Sequence, residues 1–438
     1  VLIARRFKVP VIAIGAGLNI SSMHIPLAGA ILIDFKRMDK ILDIDEETCT
    51  ATVQPGVTLA RLSCEMQKRK MFIPIPGAPS TAMAISNLLI WGDANKASAR
   101  IDIQYRCVVG YEMVLPDGNV LRAGSLADCY INESFWPHGP GPDLWMLPRW
   151  TTGNFGIVTA ATFKGYPVDE ECKPLWVAFE DIEAASAFYK DFLRSEIATG
   201  SSLYGGFKYF YFMDTAEGAW RHDRIHPRFQ LIATLQGTKR RVEYEESVIR
   251  KLAEKHGGRI ITDRLPFYQM FVDTHIGMAA STSSDLGAMK YFGTPGNSVG
   301  YIGPITLDKL EKVYKLIVRL IMEDPILSDP DLTNFPFNIG IIVYPCPGGH
   351  YASFEFFASG SLYDPKIQEA TRKFLPKLFS ELAKIGCVPQ QGRLGSSPRL
   401  GELGIHPTFL ELARKYKKAL DPEGIMHPGG ILDAIMYK

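Results

Sequence analysis

KVPVIAIGAGLNISS, residues 8–22, is the stretch on which the reading of this chain turns. Val9–Ile14 is an apolar run of strand length, and the glycines follow at once, so the segment reads as a buried strand ending in a glycine-permitted turn. Gly15 and Gly17 carry no Cβ, which lets the backbone approach an anion and offer its N–H groups. A diphosphate would fit there. An ordinary tight turn has the same composition, and the stretch is not the dinucleotide fingerprint GxGxxG, which needs a glycine where Ile20 stands. The neighbouring segments must decide.

Working outward, the first third of the chain reads as short strands and tight turns. Ala30–Phe35 is a strand, and 41–45 with 50–54 alternates as a hairpin does. Pro55 and Gly56 stop the second strand, and 57–70 has helical spacing with Thr58 placed to cap it. Residues 110–115 and 119–122, joined by Pro116-Asp117-Gly118, form the clearest hairpin. NFGIVTAATF, residues 154–163, reads as another strand. VLIARRF at the start reads as the last turns of an amphipathic helix, which sets the expectation that a strand and a helix of this domain precede it.

After about residue 166 longer helices alternate with strands. Helices are expected over 182–195, 241–256, 307–322, 365–385 and 408–419, and strands over 228–236, near Gly300, and over 339–344 and 352–358. This predicts an α+β protein whose second part is an antiparallel sheet backed by helices. The expected division is residues 1–165, then a cap over 166–400, then a tail over 401–438 returning to the first part.

The composition is that of a globular chain: 438 residues, 46% hydrophobic and 22% charged, with 48 basic and 47 acidic residues. A net charge of +1 gives no electrostatic footprint for nucleic acid or an anionic membrane. The seven cysteines are scattered without a CxxC pair, so neither a structural zinc nor an iron–sulfur cluster is expected. No apolar run reaches membrane-spanning length and no leader is visible, so the chain reads as soluble. Its first residues read as lying inside a domain, so they leave the compartment, cytoplasmic or periplasmic, unknown.

The order of motifs resembles the flavoprotein family of vanillyl-alcohol oxidase and 4-cresol dehydrogenase, whose flavin domain is of the PCMH type. The resemblance is carried by residues 8–19, 31–62, 76–87 (PGAPSTAMAISN), 111–124 (YEMVLPDGNVLRAG), 139–159 and 420–432 (LDPEGIMHPGGIL). It implies FAD, with the diphosphate over Gly15, Ala16, Gly17, Leu18, Asn19, Ile20, Ser21 and Ser22. Pro76, Gly77, Ala78, Ser80, Thr81, Asn87, Gly92, Asn154, Gly156, Ile157, Val158 and Thr159 then line the rest of the cofactor. Val299 stands where some relatives have a flavin-linking histidine, so non-covalent FAD is expected, with Tyr301 two residues on.

The resemblance further implies hydride transfer from a substrate carbon to the flavin. Asp102, Tyr105, Arg106 and Arg393 are its catalytic candidates, although Ser22 replaces the family's loop tyrosine, and CVPQQGRLG (387–395) lacks the tyrosine before the arginine. Tyr211, from an aromatic cluster at 204–212, and His350 join Tyr301 as substrate-side candidates. No metal site is expected. The substrate expected is an aromatic or apolar alcohol or an alkylphenol. A 2-hydroxy acid held by arginines is the second reading, and a flavin-bearing electron-transfer or scaffold subunit the third. A small-molecule substrate, a homo-oligomer and an electron-acceptor protein, such as a cytochrome or other redox subunit, complete the expected partners.

Overall fold

A computed structural model of the chain describes residues 1–17, 25–26, 29–74, 81–92, 94–101, 104–124, 148–149, 153–205, 228–262, 297–333, 339–360, 364–387 and 407–428. The chain forms two compact units. The first comprises Val1–Asp93, Gln104–Val168 and Gly392–Lys438, and the second Ala94–Ile103 and Asp169–Gln391. The division differs from that read in the sequence at three places, the smallest being the first boundary, which falls after Val168 instead of residue 165. Residues 94–103 join the second unit, because the Ser201 N–H donates to the Lys96 carbonyl at 2.7 Å and Arg100 Nη1 donates to Thr199 Oγ1 at 2.6 Å. The return to the first unit comes at Gly392 instead of residue 401.

In the first unit the apolar run after Lys8 forms β1 (Val11–Ile14), which pairs in parallel with β2 (Ile31–Asp34), Val11 opposite Ile31. β3 (Ile41–Asp45) and β4 (Thr50–Val53) make the expected hairpin. Thr58 caps the helix Leu59–Gln67 by accepting from the Arg61 N–H at 3.2 Å. That helix buries Leu59, Leu62, Ser63 and Met66, one face at helical spacing. β5 (Met71–Phe72) follows, then β6 (Val108–Val114) and β7 (Val120–Gly124), then β8 (Ile157–Lys164) and β9 (Tyr166–Pro167).

The five-stranded sheet runs β3-β4-β8-β6-β7 and every pair in it is antiparallel, while β5 pairs with β9. The β6–β7 turn needs Gly118, whose φ is +87°, and Asp117 accepts from the Asn119 N–H at 2.9 Å. The core beneath the sheet joins Val53, Leu62, Met66, Leu88, Tyr111 and Phe163, each fully or almost fully buried. Each such side chain adds roughly 1.5–3 kcal/mol relative to exposure.

The second unit contains β10 (Glu171–Phe179), β11 (Gly200–Gly205), β12 (Phe229–Gly237), β13 (Arg259–Ile260), β14 (Asn297–Thr306), β15 (Ile339–Pro345) and β16 (Tyr351–Gly360). They form an antiparallel sheet in the order β13-β10-β12-β11-β15-β16-β14. Helices Ile182–Arg194 and Lys239–Lys255 pack on β10 and β12 and on each other, and Leu310–Met322 joins the first of them. Leu310–Met322 buries Leu310, Val313, Ile317, Leu320 and Ile321. Burial pushes the Cys172 thiol up to about 11, in keeping with a cysteine that packs and does not react. The fold is therefore α+β, with an antiparallel sheet backed by helices in the second unit. Among the described residues no helix is long and apolar enough to cross a membrane.

Candidate cofactor site

β1 delivers the chain into the turn Gly15-Ala16-Gly17, and Gly17 has φ +76°, a conformation that glycine adopts without strain. A Cβ on Gly15 would sit 3.0 Å from Met83 Cγ and 3.1 Å from Ser86 Oγ. The turn therefore lies directly against the segment that ends in the π-helical stretch Ser86–Trp91, a geometry frequent at functional sites. Gly92 ends that stretch at φ +60°, its N–H donating to the Asn87 carbonyl at 2.9 Å. The Asn87 amide donates to the Met83 carbonyl at 2.9 Å, which fixes its orientation.

A cleft opens within the first unit between these elements. Ala13–Gly17 form one wall and Ala82, Met83, Ile85–Asn87, Ile90 and Trp91 another. Phe35, Pro55, Gly153, Gly156–Val158 and His427 complete its lining. Gly156 is required because a Cβ there would lie 2.6 Å from the Val114 carbonyl oxygen. Gly153 has φ +88° and faces His427, whose Nδ1 is 3.3 Å from the position a Cβ would take.

The chain's tail contributes His427 to the cleft. The Val11 N–H donates to the Ile425 carbonyl and the His427 N–H to the Val11 carbonyl, both at 2.8 Å, so the tail runs alongside β1. The tail is anchored by an ion pair between Lys417 Nζ and Asp421 Oδ2 at 2.6 Å, with side chains 1% and 0% exposed. Lys417 Nζ also donates to the carbonyls of Asn154 and Met426, each at 2.8 Å. Asp421 accepts from the N–H groups of Ile425 and Met426, at 3.1 and 2.8 Å. Every proton and most lone pairs of this buried pair are used, the condition under which such a pair is tolerated.

Of the expected cofactor residues, Gly15, Ala16, Gly17, Asn87, Gly156, Ile157 and Val158 line this cleft. Gly92 acts as the helix terminus described above, and Asn154 is buried with its carbonyl bound to Lys417. The Thr159 hydroxyl donates to Glu112 Oε1 at 2.7 Å. That bond, with Arg122 Nε 2.9 Å from Glu112 Oε2, holds the Glu112 carboxyl below the usual range. Thr81 is exposed. Leu18, Asn19, Ile20, Ser21, Ser22, Pro76, Gly77, Ala78 and Ser80 lie outside the described residues, as do Asp102, Tyr211 and Arg393.

Tyr105 and Arg106 belong to the single-turn helix Gln104–Cys107, and Arg106 is exposed. Tyr301 stands opposite Phe356 in the β14–β16 ladder. His350 is exposed just before β16. Tyr204, from the aromatic cluster, packs against Trp176, Ala178, Ile232 and Ile261. The sequence reading did not single out Met83, Ser86, Ile90, Trp91, Phe35 or Gly153 as cleft residues. The apolar helix-like run after PGAPST was the available signal for the first four. No group of three or more His, Cys, Asp or Glu side chains able to hold a metal occurs among the described residues.

Residues 1–124 match the FAD binding domain family. The chain is 32% identical over 200 residues to the glycolate oxidase subunit GlcD of Bacillus subtilis, covering 44% of this chain and 40% of that protein. It is 26% identical over 297 residues to the 4-cresol dehydrogenase (hydroxylating) flavoprotein subunit of Pseudomonas putida, 60% of this chain and 54% of that one. The matched stretches thus span about half or less of these relatives' lengths. In fold it is similar to substrate-bound p-cresol methylhydroxylase, with a TM-score of 0.81 at 20% identity over 100% of this chain and 87% of the other. It is equally similar to 4-ethylphenol oxidase from Gulosibacter chungangensis, with a TM-score of 0.82 at 16% identity over 98% and 85%.

The cleft fits the cofactor that the family binds. Gly15 packs tightly on Met83 and Ser86, the Cβ position of Gly17 is open with only Ile14 Cδ1 at 4.0 Å, and the Gly15–Gly17 turn at the end of a strand is an anion-accepting arrangement. Its apolar walls suit a flat ring. The chain carries an FAD-binding domain of the PCMH type.

Proposed function

We propose that this chain, an FAD-binding protein of the PCMH type, is an oxidoreductase that removes hydride from an aromatic or apolar alcohol or an alkylphenol. The observation that carries the reading is the cleft itself: glycine turns at Gly15–Gly17 and Gly153–Gly156 set among Ile14, Phe35, Met83, Ile90 and Trp91. The similarity in fold to two phenol-acting flavoproteins adds support for the substrate class. When bound, FAD supplies the two-electron acceptor for the substrate's hydride.

The chain's own residues bind, orient and exclude water. The Gly15–Gly17 backbone would hold the diphosphate, and the apolar side chains from Met83 to Trp91 that line the cleft would shield the flavin ring from solvent, which would strengthen electrostatic contacts near it. In this reading Asp102 serves as the carboxylate that acts at the carbon losing hydride, Tyr105 and Arg106 are further catalytic candidates, and Arg393 is the counterpart of the family's arginine for the substrate's oxygen anion. The FAD is held non-covalently. Tyr211, Tyr301 and His350 belong to the substrate side. Two relatives are flavoprotein or oxidase subunits by name, so an electron-acceptor protein is proposed as a partner, alongside a homo-oligomer.

A second reading rests on one observation: the 32% identity to a glycolate oxidase subunit. D-lactate dehydrogenase of Anaerostipes hadrus is also similar, at 25% identity over 195 residues. The two readings separate under anaerobic conditions. Adding 4-ethylphenol or vanillyl alcohol to the FAD-loaded protein is expected to bleach the flavin bands, while glycolate and D-lactate leave them intact. Bleaching by the hydroxy acids alone would overturn the first reading in favour of the second. Bleaching by neither, with FAD bound, would point to an electron-transfer or scaffold subunit. Asp102→Asn is expected to slow bleaching by about a hundredfold.

A further inference from the structure

His427 is the one ionisable side chain lining the cleft among the described residues. It is held there at some cost. Its φ is +46°, a region that histidine enters only occasionally, and it is 95% buried, with 5% of its surface exposed. A buried non-glycine residue kept in a left-handed conformation is a feature to be explained by function. The surroundings over-determine it: the backbone N–H is bound to Val11, and the preceding Met426 is bound through both its N–H and its carbonyl to the Lys417–Asp421 pair. Gly153 leaves room for the ring, since its Cβ position is 3.3 Å from Nδ1.

We infer that the His427 imidazole donates a hydrogen bond to the diphosphate of bound FAD, and that its protonated form tightens that binding. The inference rests on reading the cleft as an FAD site. A diphosphate is doubly anionic, and the described walls of the cleft offer it backbone and hydroxyl donors but no other side chain that can become cationic. Lys417 and Asp421, the charged groups packed against the tail, face the Met426 backbone and compensate each other. β1, the Ser86–Trp91 stretch and the Gly153–Val158 loop bring only uncharged side chains to the cleft. A dianion favours imidazolium over imidazole, so affinity rises as pH falls through the histidine range.

The test uses the full chain freed of flavin, with flavin-fluorescence quenching as the readout for FAD and for riboflavin, which lacks the diphosphate. His427→Asn and His427→Gly both tolerate the positive φ and keep the fold, to be verified by circular dichroism and thermal unfolding. Both variants are expected to bind FAD about tenfold more weakly near pH 6, the loss of a charge-assisted hydrogen bond. Their riboflavin affinity stays at the wild-type level, and their FAD affinity no longer changes between about pH 6 and pH 8. Folded variants that bind FAD like wild type overturn the inference, and so does an equal loss for riboflavin, which would place the imidazole at the ring. Wild-type protein that takes up neither ligand overturns the cofactor reading itself.

Discussion

Lys417 and Asp421 form an ion pair 2.6 Å apart and out of reach of solvent, four residues apart at the end of the helix Pro407–Leu420. The pair ties three pieces of the first unit together: the helix, the Asn154 loop on the cleft and the Ile425–His427 tail that runs beside β1.

Lys417→Met leaves the Asp421 carboxylate buried without its partner, a change that costs about 3–5 kcal/mol. Urea unfolding is expected to show that loss, and the variant should release FAD on gel filtration. Lys417→Met combined with Asp421→Asn removes the uncompensated charge. It is expected to recover part of the stability, so the two changes will not add.

Glycine substitutions separate the cleft from the rest of the chain. Gly156→Ala forces a Cβ to 2.6 Å from a backbone oxygen, and unfolding measurements should find it destabilised by about 1–3 kcal/mol. Gly15→Ala meets side chains that can yield, so its effect is expected mainly as weaker FAD binding, about threefold to tenfold. Gly29→Ala, with nothing within 4 Å of its Cβ, is the control and should stay within about 0.5 kcal/mol of wild type.

Thr159 provides a test through pH. Its hydroxyl helps hold the Glu112 carboxyl below 4.5, so the stability this bond adds is present above the unfolded value and is lost as pH falls through the folded one. Thr159→Val is expected to be less stable than wild type near neutral pH, with the difference shrinking in acid, measured by urea unfolding across the acid limb. Its FAD affinity should match wild type, because the hydroxyl is committed to Glu112 and not to the cleft.

Thr58 caps the helix that carries Leu59, Leu62 and Met66 into the core. Thr58→Ala is expected to cost about 1 kcal/mol in thermal or urea unfolding, with FAD content unchanged.

Much of this was legible in the residues because it is set locally. The GAG turn follows an apolar strand, Thr58 precedes a helical period, and Pro116-Asp117-Gly118 can only be a turn between alternating runs. Other features depend on partners far away in the chain. Residues 94–103 join the second unit through Thr199 and Ser201, about a hundred positions on, and no local pattern announces that pairing. Thr159 reads as a plausible cofactor hydroxyl until Glu112, on the neighbouring strand, is seen to accept from it. His427 looked like any histidine in a turn-rich tail, and only its contact with β1 places it in the cleft.

The most direct test of the account is reconstitution of the purified full chain with FAD, followed by desalting and a visible spectrum. The account predicts stoichiometric flavin retained with the protein and released as intact FAD on denaturation in acid, with Gly15→Ala and Lys417→Met retaining less. A folded wild-type chain that emerges colourless after exposure to FAD would contradict it.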